Sequence, residues 1–350
     1  MFPEVTTPAV LVDLDTAEAN IDRFQRHADA AGVRVRPHIK THKLPLLAKR
    51  QIAAGAVGIT CQKISEARAM ISQGGVSDIL LTYNILGAEK LAELRALAGD
   101  VTLGVVADNV EVVQGLSATF ADAATPLPVL VECDTGAGRC GVATPEAAAV
   151  LAAVIEAAPG LRFAGLMTYP PANRTAEVAD WLQGAVRACK AAGLSVDLIS
   201  TGGSPDMWQA AALDLPTEYR IGTYVYNDRS LVARGICDWS DCALTVLVTV
   251  VSVPAPDRAI IDAGSKVLTS DLLGLDGHGH VLGRPDITIA TLSEEHGTLR
   301  ADAIGLKVGQ RLRIVPNHAC VVANMLDEVQ LVRGDRAEGA TEVVARGKVW

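Results

Sequence analysis

The stretch Arg36-Pro-His-Ile-Lys-Thr-His-Lys43 gathers three cationic side chains and two imidazoles within eight residues. A lysine held against another cation and partly desolvated loses basicity, and its free amine can then attack a carbonyl. An aldehyde cofactor such as pyridoxal phosphate is the natural partner for such an amine. Taken alone, such a cluster is more often a solvated basic loop. The elements around it weigh against that reading. A short β-type run at 33–35 precedes the stretch and a helical pattern over 44–54 follows it, so it lies at a strand–loop–helix junction. In an α/β barrel the C-terminal ends of the strands carry the chemistry.

Two further stretches have the composition of such strand ends. Thr201-Gly202-Gly203-Ser204 and Arg220-Ile221-Gly222-Thr223-Tyr224 each follow a β-type run. Their glycines let backbone amides approach an anion, and the loops after barrel strands seven and eight commonly hold a phosphate. Glu132-Cys-Asp-Thr-Gly-Ala-Gly-Arg139-Cys-Gly141 sets three glycines around one arginine at the end of a fifth strand. This is a loop able to fold over a flat ligand, with Arg139 able to pair with a phenolate oxygen.

The rest of the chain supplies the scaffold. An isolated strand is expected at 7–15 and a helix at 16–31. Barrel strands are then expected at 33–36, 57–61, 78–83, 101–107, 128–134, 163–168, 196–200 and 218–224. Helical stretches such as 64–73, 88–98 and 145–158 lie between them. Val178, Trp181, Leu182, Ala185, Val186 and Cys189 form one apolar stripe at i, i+3, i+4 spacing. Eight strands alternating with helices over about 200 residues suit a closed (β/α)8 TIM-type barrel better than an open sheet. After Asp238 helical periodicity vanishes, and strand-like runs follow at 243–253, 259–262, 286–291, 311–315, 321–324 and 328–332. The chain therefore reads as α/β, with a barrel over 13–236 and an all-β domain made of 237–350 plus 1–12.

Composition excludes several classes of function. Of the 350 residues 49% are hydrophobic and 20% charged, which is globular. The net charge of −9 and the lack of a basic patch interleaved with aromatics argue against nucleic acid as a partner. No basic segment followed by an apolar core opens the chain, so no signal peptide is expected. The longest uncharged apolar run, 244–256, is too short to span a bilayer and contains prolines, so no membrane is expected. The seven scattered cysteines form no disulfide-like pattern, which fits a reduced, cytoplasmic protein.

Taken in order, RPHIKTHK, the GAGRCG loop, TGGS, YRIGTYVYND, DAGSK and PNHAC resemble the D-threonine aldolase/D-serine dehydratase family. That family belongs to the fold type III pyridoxal-phosphate enzymes, alongside alanine racemase, and the resemblance covers nearly the whole chain. It implies that Lys40 forms the Schiff base with the cofactor and that Lys43 supplies electrostatics. It puts Arg139 near the phenolic oxygen, and Gly202, Gly203, Ser204, Gly222 and Thr223 at the phosphate. Arg220 corresponds to the arginine that faces the pyridine nitrogen in alanine racemase.

The β domain adds His318-Ala319-Cys320. Read as a strand, it sends both side chains to one face, and imidazole with thiolate favours Zn²⁺. Alone this is a weak signal, since two core residues fit as well. The resemblance strengthens it, because family members bind a divalent metal with a pair at this place. D-serine dehydratases present His and Cys to zinc. The D-threonine aldolase branch more often presents His and Asp to harder ions, so Mn²⁺ or Mg²⁺ are the alternative metals here. His296, the His278/His280 pair and Lys266 rank lower as site residues.

The expected activity is a lyase acting on D-3-hydroxy amino acids of the D-serine or D-threonine type. Elimination to a 2-oxo acid and ammonia is favoured, and retro-aldol cleavage to glycine and an aldehyde is the alternative. Two other classes fit less well. A racemase of the alanine racemase type takes its second base from a tyrosine of the β domain, and all five tyrosines precede that domain. A non-catalytic cofactor carrier would be a lone barrel. The fold further implies a homodimer.

Overall fold

The structure, a computed structural model, describes residues 1–213, 215 and 217–350. Two compact units emerge: 24–40, 45–222 and 348–350 form one, and 1–23, 41–44 and 223–347 form the other. β1 (Ala9–Asp13) belongs to the second unit, where it pairs with two strands of the C-terminal sheet.

The first unit holds, among the described residues, an eight-stranded parallel sheet: β2 (Arg34–Val35), β3 (Ile59–Cys61), β4 (Asp78–Leu81), β5 (Thr102–Ala107), β6 (Leu127–Cys133), β7 (Leu161–Thr168), β8 (Ile199–Gly202) and β9 (Glu218–Arg220). Their order is β2-β9-β8-β7-β6-β5-β4-β3. The ring closes where Val57 N–H donates to Val35 C=O (2.9 Å) and Thr60 N–H to Pro37 C=O (2.7 Å). A parallel bridge pairs His38 with Thr60 beside them. The expected barrel is present, with strands one to four residues shorter at several ends. β2 is the shortest of these strands, although its amide bonds toward β9 run on through Arg36 and His38.

Strands buried on both faces read as continuous apolar runs, and Val129–Cys133 is buried throughout. Helices such as Ile64–Ile71, Ala88–Leu97, Pro145–Ala157 and Thr175–Ala191 cover the outside. Thr144 caps one of them, its Oγ1 accepting from Ala147 N–H at 3.1 Å, with Pro145 in the first turn. On Thr175–Ala191 the buried positions are Val178, Leu182, Ala185 and Cys189, the stripe read from the sequence.

A polar chain crosses the barrel interior. Arg36 donates to Glu218 (2.7 Å) and to Asp78, Ser200 donates to Glu218 (2.7 Å), and Arg220 donates to Ser200 (3.2 Å) and to Thr168 C=O (2.5 Å). Glu218 is fully buried between two guanidinium groups. Each charge in this chain is therefore hydrogen-bonded, and Glu218 is paired with Arg36, the condition under which burial is tolerated.

The second unit holds, among the described residues, a nine-stranded sheet. It contains β1, β10 (Leu244–Ala255), β11 (Arg258–Ile261), β12 (His280–Val281), β13 (Thr288–Leu292), β14 (Gly297–Arg300), β15 (Arg311–Val315), β16 (Glu328–Arg333) and β17 (Arg336–Glu342). β10 is long enough to pair with β1 and β15 through its first half and with β11 through its second. The circuit β10-β11-β14-β13-β12-β15 thus returns to β10. One expected strand is absent: residues 321–324 lie in and just after a short helix, Ala319–Ala323. Pro316 breaks the ladder there, and the side chain of Asn317 ties the following segment to Gly277 C=O (2.8 Å) and Arg229 (2.9 Å). Among the described residues no helix is long and apolar enough to cross a membrane.

Candidate active site

In the barrel unit the candidate residues gather at the C-terminal ends of the strands. Lys40 sits in a single 3₁₀ turn, Ile39–Thr41, that leaves β2. The preceding His38 N–H donates to Ile221 C=O at 2.7 Å, which sets this turn beside the Ile221–Gly222 segment that follows β9. The His38 ring is held in turn by Gln62 (3.1 Å), itself bonded to Thr82 C=O (2.9 Å). Lys40 is exposed. Lys43, expected at a helix start, lies outside the helix Pro45–Ala53 and is buried, with a left-handed φ of 52°.

The Gly202-Gly203 turn is built by close approach. A Cβ at 202 would stand 1.8 Å from Arg220 C=O, so only glycine lets the ends of β8 and β9 meet there. Gly203 has φ of 134°, and its open side faces only Pro205 at 3.8 Å. One expectation needs correction. The Gly203 amide is not available to an anion, because it donates to Arg220 C=O at 3.0 Å. Ser204 opens the 3₁₀ helix Ser204–Leu213, so its amide has no partner within that helix.

Arg220 is buried and committed to Ser200 and Thr168. Burial lowers its pKa to about 10 despite the nearby Glu218 and Glu132, so it stays cationic at neutral pH. Glu132, buried at the end of β6, is pushed up by burial and by Asp108. In the glycine loop, Asp134 Oδ1 accepts from the amides of Gly136 (2.9 Å) and Gly138 (3.0 Å), so the loop curls on its own carboxylate. Arg139, exposed, stacks its guanidinium over the Tyr169 ring at 4.6 Å. Tyr169 was not singled out in the sequence; its place one residue after β7 was the available signal.

The second constellation lies in the β unit. His318 is the extended N-cap of the helix Ala319–Ala323 and Cys320 is in its first turn. The strand geometry expected for the pair is therefore wrong, although the two side chains do meet and hydrogen-bond. Behind the imidazole, Asp228 Oδ2 lies 3.0 Å from His318 Nδ1. Thr41 Oγ1 is 3.1 Å and Thr223 Oγ1 3.4 Å from Cys320 Sγ. Thr41 is the residue that follows Lys40 in the chain. Thr223, expected at the phosphate, thus also has its hydroxyl beside the sulfur.

Burial opposes charge on both members of the pair, and their surroundings outweigh it. Hydrogen bonds and charge from Asp228 and Cys320 raise His318 to about 10. The bond and charge of His318, with the hydroxyls of Thr223 and Thr41, hold the Cys320 thiol below its ordinary value. The Tyr226 hydroxyl, fully buried and without a partner among the described residues, is close enough to Cys320 for the sulfur's charge to raise it along with burial.

The lower-ranked residues make contacts of their own. Lys266 is exposed and pairs with Glu294 (3.1 Å) and Glu295 (2.6 Å). His280 stacks on Trp239 at 3.8 Å, and His296 is exposed in a turn.

Residues 12–230 match the family model described as alanine racemase, N-terminal domain, and 243–332 match a serine dehydratase domain. The chain is 36% identical to a D-threonine aldolase of Arthrobacter sp., over 98% of its length and 93% of the relative's. The chain belongs to the D-threonine aldolase/D-serine dehydratase family. As a member it is a pyridoxal-phosphate-dependent lyase. It is also 33% identical to a D-threo-3-hydroxyaspartate dehydratase of Delftia sp., over 94% of each chain. The crystal structure of a D-threonine aldolase from Filomicrobium marinum superposes with a TM-score of 0.93 at 32% identity, covering 100% of this chain and 98% of that one.

The residues present fit the family's cofactor. Lys40, Arg220 and the start of the 3₁₀ helix at Ser204 bring cations and a helix-opening amide to the strand ends of the barrel. The glycine turn leaves that rim open, as an anionic aldehyde requires. The donor set at 318 and 320 likewise fits a borderline-soft divalent metal. Among the described residues no group of three or more His, Cys, Asp or Glu side chains is placed to hold a metal. Two protein donors leave the remaining positions to water and substrate, as a catalytic site needs.

Proposed function

We propose that this lyase acts on D-3-hydroxy amino acids and removes the β-hydroxyl, giving a 2-oxo acid and ammonia. The observation that carries the reading is the His318–Cys320 pair, an imidazole and a thiol in contact with Asp228 behind the imidazole. A cysteine in that position suits Zn²⁺ better than the harder Mn²⁺ or Mg²⁺. Solved structures of D-threo-3-hydroxyaspartate dehydratase include a histidine-to-alanine variant and a metal-free cysteine-to-alanine variant, the two sites being two positions apart. The spacing of His318 and Cys320 is the same.

When bound, pyridoxal phosphate would take up charge developing at Cα, and a divalent metal would act as a Lewis acid on the leaving oxygen. Lys40 is the residue proposed to carry the cofactor, and its Nζ, once released, is the base for the Cα proton. Ser204, with Gly202, Gly203, Gly222 and the backbone of Thr223, would hold the phosphate. Arg139 would face the phenolic oxygen and Arg220 the ring nitrogen. His318 and Cys320 would hold the metal. The β-oxygen departs as water, and the enamine left behind hydrolyses to the 2-oxo acid and ammonia.

A second reading is favoured by the Arthrobacter relative, an aldolase at 36% identity. There the β-hydroxyl loses its proton, the Cα–Cβ bond breaks, and glycine plus an aldehyde result. Incubation with D-serine, D-threonine and D-3-hydroxyaspartate separates the two readings. The expected products are 2-oxo acid and ammonia, whereas glycine with an aldehyde would replace the elimination reading by the aldolase one.

A further inference from the structure

We propose that Asp228 is a positioning residue for the metal: it fixes the tautomer and orientation of His318 so that Nε2 is the nitrogen presented. The inference rests on the metal role proposed for His318 and Cys320 and names a residue that neither the motifs nor the relatives assign.

Asp228 is fully buried. Its Oδ2 accepts from His318 Nδ1 (3.0 Å) and from the Ala319 amide (3.0 Å). Its Oδ1 accepts from Ser230 Oγ (2.6 Å) and from the Leu231 amide (3.2 Å), capping the helix Arg229–Ala233. Donors thus grip both oxygens, and the carboxylate has no freedom to turn. A carboxylate only accepts, so Nδ1 must carry the hydrogen and Nε2 is the nitrogen left to face a metal. The alternative tautomer would set lone pairs against each other in a buried site, with the full cost of an unmade bond. The same oxygen that holds the imidazole also anchors the first turn bearing Cys320. One side chain therefore sets the spacing of both donors.

Carboxylates behind ligating histidines commonly contribute 10–100-fold in metal affinity, and a loss of about that size is expected for Asp228→Asn. The substitution keeps the volume but cannot accept at both oxygens. The measurement is zinc affinity of the cofactor-loaded enzyme by competition with a chromophoric chelator, alongside the melting temperature. A cap lost from the helix would lower the melting temperature alone. A residue acting through His318 makes a further demand: in a His318→Ala background, Asp228→Asn should change zinc affinity by no more than about twofold, since the partner it acts on is gone. Unchanged zinc affinity in Asp228→Asn, or an equal loss in both backgrounds, would overturn the inference while leaving the metal site standing. No zinc binding by the wild-type enzyme would overturn both. If the variant does not fold, ¹⁵N NMR of the zinc-loaded wild type decides. Hydrogen on Nδ1 of His318 and zinc on Nε2 are expected; zinc on Nδ1 would refute it.

Discussion

Lys40 and Lys43 differ in structure as much as in proposed role. Lys40 is exposed in the turn that leaves β2, whereas Lys43 is buried in a left-handed conformation that costs a β-substituted residue about 1–3 kcal/mol. Borohydride treatment of the yellow holoenzyme should fix the cofactor to the peptide carrying Lys40; label on Lys43 or Lys266 would contradict the assignment. At Gly203 the side facing away from the backbone is open, so Gly203→Val meets little steric opposition while φ of 134° resists any Cβ. The variant should keep its fold and lose cofactor affinity, measured by the rate of cofactor release on dilution; unchanged release would remove this turn from the phosphate site. Legibility at this scale followed residue type. Basic, glycine-rich and His-x-Cys patterns announce themselves; Asp228 closes the YRIGTYVYND motif, but only the fold reveals that it lies behind His318.

At the scale of elements, the barrel was legible because strands buried on both faces leave uninterrupted apolar runs between amphipathic helices. The strand ends were less so, since Pro37 and the 3₁₀ turns at 39–41 and 223–225 are set by local chain chemistry rather than periodicity. Residues 321–324 were misread for the same reason: a short run of apolar residues fits a strand or one helical turn, and Pro316 with Asn317 selects the turn. The interior ion network lies beneath any periodic signal, and it supports a prediction. Glu218 balances Arg36 and sits beside Arg220 with no exposure. Removing one partner of a buried pair costs about 3–5 kcal/mol, so Glu218→Ala should lower the unfolding free energy in urea by about that amount. A loss below about 1 kcal/mol, the scale of an exposed pair, would show that the network does not hold β2 to β9.

For the whole molecule, the two constellations imply separable tasks. The barrel residues are proposed to hold the cofactor and remove the Cα proton, and His318 with Cys320 to assist departure of the β-oxygen. Replacing Cys320 by Asp should shift metal preference toward harder ions and raise glycine release relative to 2-oxo acid, both measurable on one sample with D-threonine. The most direct test is exhaustive chelation of the holoenzyme, followed by incubation with D-serine in deuterated water. The expected result is loss of pyruvate formation, retention of the cofactor and its absorbance, and recovery of activity on adding zinc. Exchange of the Cα proton should persist through the chelated state. Full pyruvate formation with no metal remaining would contradict a metal-assisted elimination at His318 and Cys320.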